Sequence, residues 1–233
     1  MPFFNFFAIE KMDRKSLQIK LNENEHLTSL DKYNLWLIQR SDWFSLGEDS
    51  VALSEFVQIK PGEKVLEAGT GNGGLLLMLY GKEPKASYTA IEVMKNNVDL
   101  AKRNLEINGI TENTYIVHGD YRKFSVETYG NFDKIICNPP YEKLGEGRIS
   151  PIPEVAAAKF ELNGTLTDFF AKTKELLSIK GSFYLVLPLK RAEEVYTLAE
   201  NFGFLIAESQ KKIFNKQKKQ QEKGIVLFRL THK

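Results

Sequence analysis

An α/β fold with a doubly wound, mostly parallel sheet of about seven strands is what the sequence predicts, and three observations predict it. Between Lys64 and Gly203 short β-rich runs alternate with longer helical periods, the pattern of strand–helix–strand units wound into a parallel sheet. A glycine-rich stretch, Leu66–Gly74 (LEAGTGNGG), joins the first of those strands to the first of those helices. After Gly203 the alternation stops, and two strand-like runs follow with no helix between them. A final hairpin should therefore append one antiparallel strand at the sheet edge.

Each element has its own signal. The mixed region Leu21–Val57, with Trp36, Trp43 and Phe44 among polar residues, reads as one or two helices, and Gly47–Ser50 marks a helix start. Lys64–Gly69 (KVLEAG) is a short apolar strand, and Gly73–Gly81 is a helix that opens in glycines. Ser87–Val93 is rich in strand formers, and Lys95–Ile110 has helical periodicity with a glycine near its end. Thr114–Asp120 and Phe132–Pro139 are further strands. Thr165–Gly181 reads as a helix closed by Gly181, Ser182–Pro188 as a strand and Lys190–Gly203 as a helix. Phe204–Phe214 and Gly224–Lys233 form the closing strands, separated by the polar run Asn215–Lys223.

Composition narrows the function classes. A chain of 233 residues with 42% hydrophobic content can bury one sizeable core. We read residues 21–233 as a single domain and residues 1–20 as a loosely attached arm. The arm is aromatic but is interrupted early by Glu10 and Lys11, which argues against a signal peptide or a membrane span. The net charge of +2 excludes a whole-protein basic field, so any nucleic-acid footprint must be local. One cysteine, Cys137, allows neither a disulfide framework nor a cysteine metal cluster, and the three histidines lack metal-ligand spacing. The expectation is a metal-free protein of a reducing compartment, the cytoplasm.

The glycine stretch fits two cofactor templates. Read at Gly69, Gly71 and Gly73 it is GxGxG; read at Gly69, Gly71 and Gly74 it is the dinucleotide fingerprint. Glu92 ends the next strand, where an acid accepts from ribose hydroxyls. Both readings imply a nucleoside cofactor. Glu67, two residues before Gly69, separates them: a carboxylate there is awkward beside a pyrophosphate but suits a cofactor carrying a sulfonium and an α-amino group.

The strand Phe132–Cys137 stops on Asn138-Pro139-Pro140-Tyr141. Two prolines cannot sit in a central strand, so this is a rigid corner at a strand end. Ligands of wound α/β sheets lie beyond such ends. Asn138 and the Pro139 carbonyl supply acceptors, and Tyr141 supplies a flat apolar face. Together they suit a planar ligand with an exocyclic amine.

These residues resemble the amino-methyltransferases of the Rossmann-like class that uses S-adenosyl-L-methionine. Within that class, FSLGEDSVALSEF, VLEAGTGNGGLLLML and NPPYEKLGEGRISPIPEVAAAKFE resemble the bacterial tRNA1(Val) adenine-N6 methyltransferase group. The resemblance runs from Gln39 to the C-terminus; the group more often carries Arg-His-Glu where Lys159-Phe160-Glu161 stands here. It implies methyl transfer to the N6 amine of an adenine in RNA, a tRNA next to its anticodon. Gly69, Gly71 and Gly73 would pass under the cofactor, Glu92 would bind its ribose, and Asp120 would accept from its adenine amine with Tyr121 beside the ring. Asn138 and Pro139 would hold the target amine within the Asn138-Pro139-Pro140-Tyr141 corner, with no general base, and Asn138 would also stand with Glu67 among the cofactor-binding residues.

Other readings of the same residues stay open. Asp120 also fits a helix cap, and Asp49 fits either a helix cap or a residue closing the pocket. Trp36, Trp43 and Phe44 fit the core better than a base-stacking site. Lys216, Lys218 and Lys219 in the last hairpin fit a solvated tip or a phosphate grip, and Arg148 sits in Glu142–Glu154, which reads as a substrate lid. Alternative substrates are a release-factor glutamine, a guanine N2 of rRNA or a DNA adenine. A non-catalytic RNA-binding module should have lost the glycines or Asn138, and a nicotinamide dehydrogenase leaves the Pro-Pro-Tyr corner unexplained.

Overall fold

The computed structural model describes residues 19–43, 45–215 and 223–233. The expectations for the arm up to residue 18, for Phe44 and for Lys216, Lys218 and Lys219 lie outside the described residues. Nine strands and seven α-helices occupy the described chain: β1 (Glu25–Leu30), β2 (Leu35–Arg40), α1 (Glu48–Phe56), β3 (Lys64–Ala68), α2 (Gly74–Lys82), β4 (Ser87–Glu92), α3 (Lys95–Glu106), β5 (Thr114–His118), α4 (Val126–Tyr129), β6 (Phe132–Cys137), α5 (Pro153–Lys159), α6 (Leu166–Leu176), β7 (Leu177–Pro188), α7 (Ala192–Phe202), β8 (Phe204–Asn215) and β9 (Lys223–His232).

Seven strands form the main sheet in the order β5-β4-β3-β6-β7-β9-β8. Pairing is parallel from β5 through β7 and antiparallel on both sides of β9. The antiparallel strand therefore lies one place in from the edge, not at the edge as expected. The reason is hydrophobicity. Ile225, Val226, Leu227, Phe228 and Leu230 of β9 are buried, whereas most of β8 from Ala207 to Lys211 is exposed. A strand covered on both faces belongs inside a sheet, and a charged one protects an edge.

The period-2 alternation of the central strands feeds two cores. Leu66, Ile135, Phe183, Leu185 and Phe228 face α6 and α7 through Phe170, Val195 and Leu198. Val65, Tyr88, Ile136, Tyr184 and Leu227 face the other layer through Leu53, Leu76 and Leu105. The chain crosses over between β3 and β6, so the crevice at their carboxyl ends is the switch point where ligands bind in wound sheets.

Two expectations need correction. Residues 25–40 form an antiparallel hairpin joined by a 3-10 turn at Asp31–Tyr33, with Asn34 in the left-handed region at φ 54°, so among the described residues α1 is the one α-helix before the main sheet. The hairpin is held by side chains of α3 and of the turn that follows it, which act in place of a third strand. Asn104 accepts from Ile38 N (2.7 Å) and donates to Ile38 O (3.0 Å) and Asn72 O (2.8 Å). Asn108 repeats the pattern on Trp36 N and O, each at 2.7 Å. Asn104 is fully buried. Asn104→Ala orphans those groups and should cost about 2 kcal/mol; a chemical denaturation midpoint equal to the wild type's would refute this.

The second correction is at Gly181. The helix Thr165–Gly181 ends at Leu176, because Leu177 already pairs with Phe132 in the sheet. The register then shifts, so that Ser182 pairs with Lys134. Residues 178–181 form the bulge, with Ile179 exposed at its crest. The start of α6 follows its sequence: Thr165 and Asp168 form a capping box, with Thr165 N donating to Asp168 Oδ2 at 2.8 Å.

Candidate active site

A cavity of about 540 Å³ opens at the carboxyl ends of β3, β4 and β6. Its floor is the turn between β3 and α2. Gly69, Gly71 and Gly73 all have positive φ (77°, 56° and 82°), which only glycine adopts without strain. A Cβ on Gly69 or Gly71 would meet nothing within 4 Å, so these residues border open space. Gly73 differs: its Cβ would stand 3.2 Å from Ala101 Cβ, and the residue faces α3 instead of the cavity. Gly69 and Gly71 line the cavity, and Gly73 does not.

Two carboxyl groups line the floor. Glu92 is buried and accepts from the Gly71 N–H (2.9 Å) and the Met94 N–H (2.8 Å), which fixes the glycine turn. Burial pushes its pKa up. Glu67 is only 2% exposed, and its carboxyl accepts one hydrogen bond among the described residues, from Thr70 Oγ1 at 2.7 Å. Burial and the neighbouring Glu92 raise the Glu67 pKa from 4.5 to about 8. A neutral acid beside a second buried acid suits a cationic guest.

Asp120 and Tyr121 also line the cavity. The Asp120 carboxylate caps its own turn and chelates Arg122, accepting from the Arg122 N–H (2.9 Å), from Nε (2.9 and 3.0 Å) and from the terminal guanidinium nitrogen (2.6 Å). Arg122 holds the Asp120 pKa below its usual value. The capping alternative is thus realised without removing Asp120 from the wall. Tyr121 turns its hydroxyl into the core, where it meets Thr173 Oγ1 at 3.0 Å, and its ring stacks on Phe169 with centroids 5.3 Å apart.

Asn138, Pro139, Pro140 and Tyr141 form the wall beside that floor, at the end of β6, the strand paired with β3. Asn138 donates to Ser50 Oγ at 2.9 Å. The Tyr141 hydroxyl stands 2.6 Å from Asp49 Oδ2 and 2.7 Å from Asn138 Oδ1. From behind, Arg191 reaches the carbonyls of Pro140 (3.2 Å) and Tyr141 (3.4 Å). Arg191 is 5% exposed and pairs with Glu161 at 2.7 Å and with Glu194 at 2.9 Å.

Several wall residues escaped the sequence reading. Trp43 lines the cavity, with the Arg40 guanidinium 4.6 Å from its ring centroid, so it is not the core residue expected; Trp36 is half-buried in β2. Glu154 is buried on α5 and accepts from Asn96 Nδ2 at 2.7 Å. The sequence signal for α5 was Pro153 ahead of a helix-forming run, the usual place for proline in a first turn. The expected lid therefore divides: its end folds as the start of α5 and lines the cavity, while Lys143–Ile149 is exposed and carries Arg148 away from the wall. No group of residues with metal-ligand potential and no helix long and apolar enough to cross a membrane occurs among the described residues.

A family model described as "Methyltransferase small domain" matches residues 43–215. A tRNA1(Val) (adenine(37)-N6)-methyltransferase from a Flavobacteriaceae bacterium is 30% identical over 72% of this chain and 70% of its own. The protein of that name from Vibrio campbellii is 31% identical over 67% of this chain and 64% of its own. Among solved structures, M. jannaschii TYW2 in complex with AdoMet superposes with a TM-score of 0.59 at 14% identity, covering 92% of this chain and 89% of its own. That likeness shows a shared fold. With the glycine turn, its paired acids and the Asn-Pro-Pro-Tyr wall around one cavity, this chain belongs to the methyltransferase small domain family.

Proposed function

We propose that residues 21–233 act as one catalytic domain that transfers a methyl group from S-adenosylmethionine to the exocyclic N6 amine of an adenine in tRNA. The observation that carries this reading is the meeting, in one cavity, of a strand-end amide and proline carbonyl with a glycine turn backed by two buried acids. The names of the curated relatives support the substrate class, and the AdoMet bound to a neighbour of the same fold supports the cofactor.

The residues present fit that cofactor. The open space over Gly69 and Gly71 admits a ligand against the backbone, and Glu67 and Glu92 suit a sulfonium, an ammonium and ribose hydroxyls. When bound, the cofactor supplies an electrophilic methyl carbon. The chain supplies orientation. Asn138 Oδ1 and the Pro139 carbonyl accept from the target amine and draw its lone pair out of the ring plane, a preorganised arrangement that needs no strong base. Tyr141 offers its ring to the base. Mass spectrometry of nucleosides, after incubation of tRNA with enzyme and labelled cofactor, should reveal N6-methyladenosine. Label on the glutamine of a release factor instead, with tRNA untouched, would overturn the substrate.

Glu67 adds a pH signature. Its raised pKa means that the free protein keeps a proton that the unfolded chain loses above about 4.5. Stability of the free protein should therefore fall as pH rises from about 4.5 to about 8. A cationic cofactor prefers the ionised form, so its affinity should rise across the same window and binding near neutrality should release a proton. Calorimetry in buffers of different ionisation enthalpy measures that release. Glu67→Gln should abolish it; an unchanged release would assign the proton elsewhere.

A further inference from the structure

Tyr141 has one hydroxyl proton and two oxygen neighbours at nearly equal distance, Asp49 Oδ2 at 2.6 Å and Asn138 Oδ1 at 2.7 Å. The proton serves one of them at a time. If it goes to Asn138, it takes up acceptor capacity that the target amine needs. If it goes to Asp49, that oxygen keeps its lone pairs for the substrate. A hydrogen bond to a carboxylate is shorter and stronger than one to a neutral amide. We propose that Asp49 is a positioning residue that draws the Tyr141 proton away from Asn138 Oδ1 and so preserves this oxygen as the acceptor for the target amine. The proposal rests on the methyl-transfer reading above.

The surroundings are arranged for this. Asn138 Nδ2 donates to Ser50 Oγ, which fixes the amide so that its oxygen lies on the Tyr141 side. Asp49 Oδ1 accepts from the Ser50 N–H at 2.8 Å, leaving Oδ2 for the phenol. Gly47 gives the carboxylate room: a Cβ there would stand 2.4 Å from Asp49 Oδ1. Asp49 does not serve as the N-cap, because Gly47 occupies that position. Burial and the adjacent Asp49 push the Tyr141 pKa up, so the phenol stays protonated and the question is only where its proton points. The first turn of α1 is thereby coupled to the reacting corner, although 88 residues separate Ser50 from Asn138 in the chain.

The test uses Asp49→Ala alone and combined with Tyr141→Phe. In the single variant the phenol turns to Asn138, so kcat on tRNA should fall about tenfold or more, with KM and cofactor affinity near wild type. The double variant removes the competing proton but keeps the ring, and should recover most of that loss. Thermal melts of both variants separate a folding defect, which lowers Tm in the single variant, from loss of the acceptor, which lowers kcat at an unchanged Tm. In protein labelled with ¹³C-asparagine, the Asn138 Cγ resonance should move downfield in Asp49→Ala and return in the double variant. Absence of that shift, or a double variant no faster than the single one, overturns the role of Asp49. The resonance reports on Asp49 whether or not tRNA is the substrate, whereas a wild-type enzyme inert on tRNA overturns the substrate and leaves the Asp49 test standing.

Discussion

Asn138→Ala should cut turnover on tRNA by about a hundredfold or more while leaving cofactor affinity nearly unchanged. The lost oxygen acts on the amine where its lone pair localises, so its contribution is greatest in the transition state. Cofactor affinity should hold because the glycine turn and its acids keep their own supports when the amide is removed: Glu92 accepts from the Gly71 and Met94 N–H groups and Glu67 from Thr70. Truncation also frees Ser50 Oγ and one side of the Tyr141 hydroxyl, but both groups are only part-buried and can turn to water. Single-turnover kinetics with saturating cofactor separates chemistry from binding. A variant with near-normal chemistry would remove Asn138 from the mechanism.

Arg191→Ala has the largest expected effect on stability. The side chain is buried between two carboxylates and two backbone carbonyls. Deleting one partner of such a cluster leaves uncompensated buried charge, which costs about 3–5 kcal/mol. For a chain of this size that lowers Tm by about 6–20 °C. Removing the charge from both sides, with Arg191→Met and Glu161→Leu together, should restore much of the stability because well-packed apolar groups often replace a buried pair without loss. Turnover should stay low in the double variant, since nothing then holds the Pro140 and Tyr141 carbonyls. Thermal melts of the two variants decide this: an alanine variant melting within about 2 °C of wild type would show the cluster to be energetically idle.

Much of the fold was legible in the sequence because its signals are local. Strand runs, capping residues and the glycine turn announce themselves within a few residues, and the strand-end position of Asn138 followed from two prolines. The hairpin Glu25–Arg40 reads as helical because what completes it is not a strand: Asn104 of α3 and Asn108 of the turn after it supply its hydrogen bonds from 66 and 72 residues away. Gly181 was read as a helix end because a bulge leaves the same glycine signature as a cap. At the site, Glu67, Glu92 and the Asn-Pro-Pro-Tyr wall were visible as types in the right slots. Trp43, Glu154 and Arg191 were not, since each joins the site only through tertiary contact. Asp49 was visible as a choice between cap and wall, and only the placement of Gly47 at the cap decides it.

The position of β9 bears on how this chain comes to be built. β8 is synthesised before β9, yet among the described residues β9 is the strand it pairs with, and β9 wedges between β8 and β7. Until residues 223–232 emerge, β7 presents a bare apolar edge and β8 has nowhere to dock. While β9 is still missing, the β7 edge is open, the kind of interval in which edge-to-edge misassociation competes with folding. The exposed, charged stretch Glu208–Lys211 of β8 discourages such pairing until β9 closes the gap.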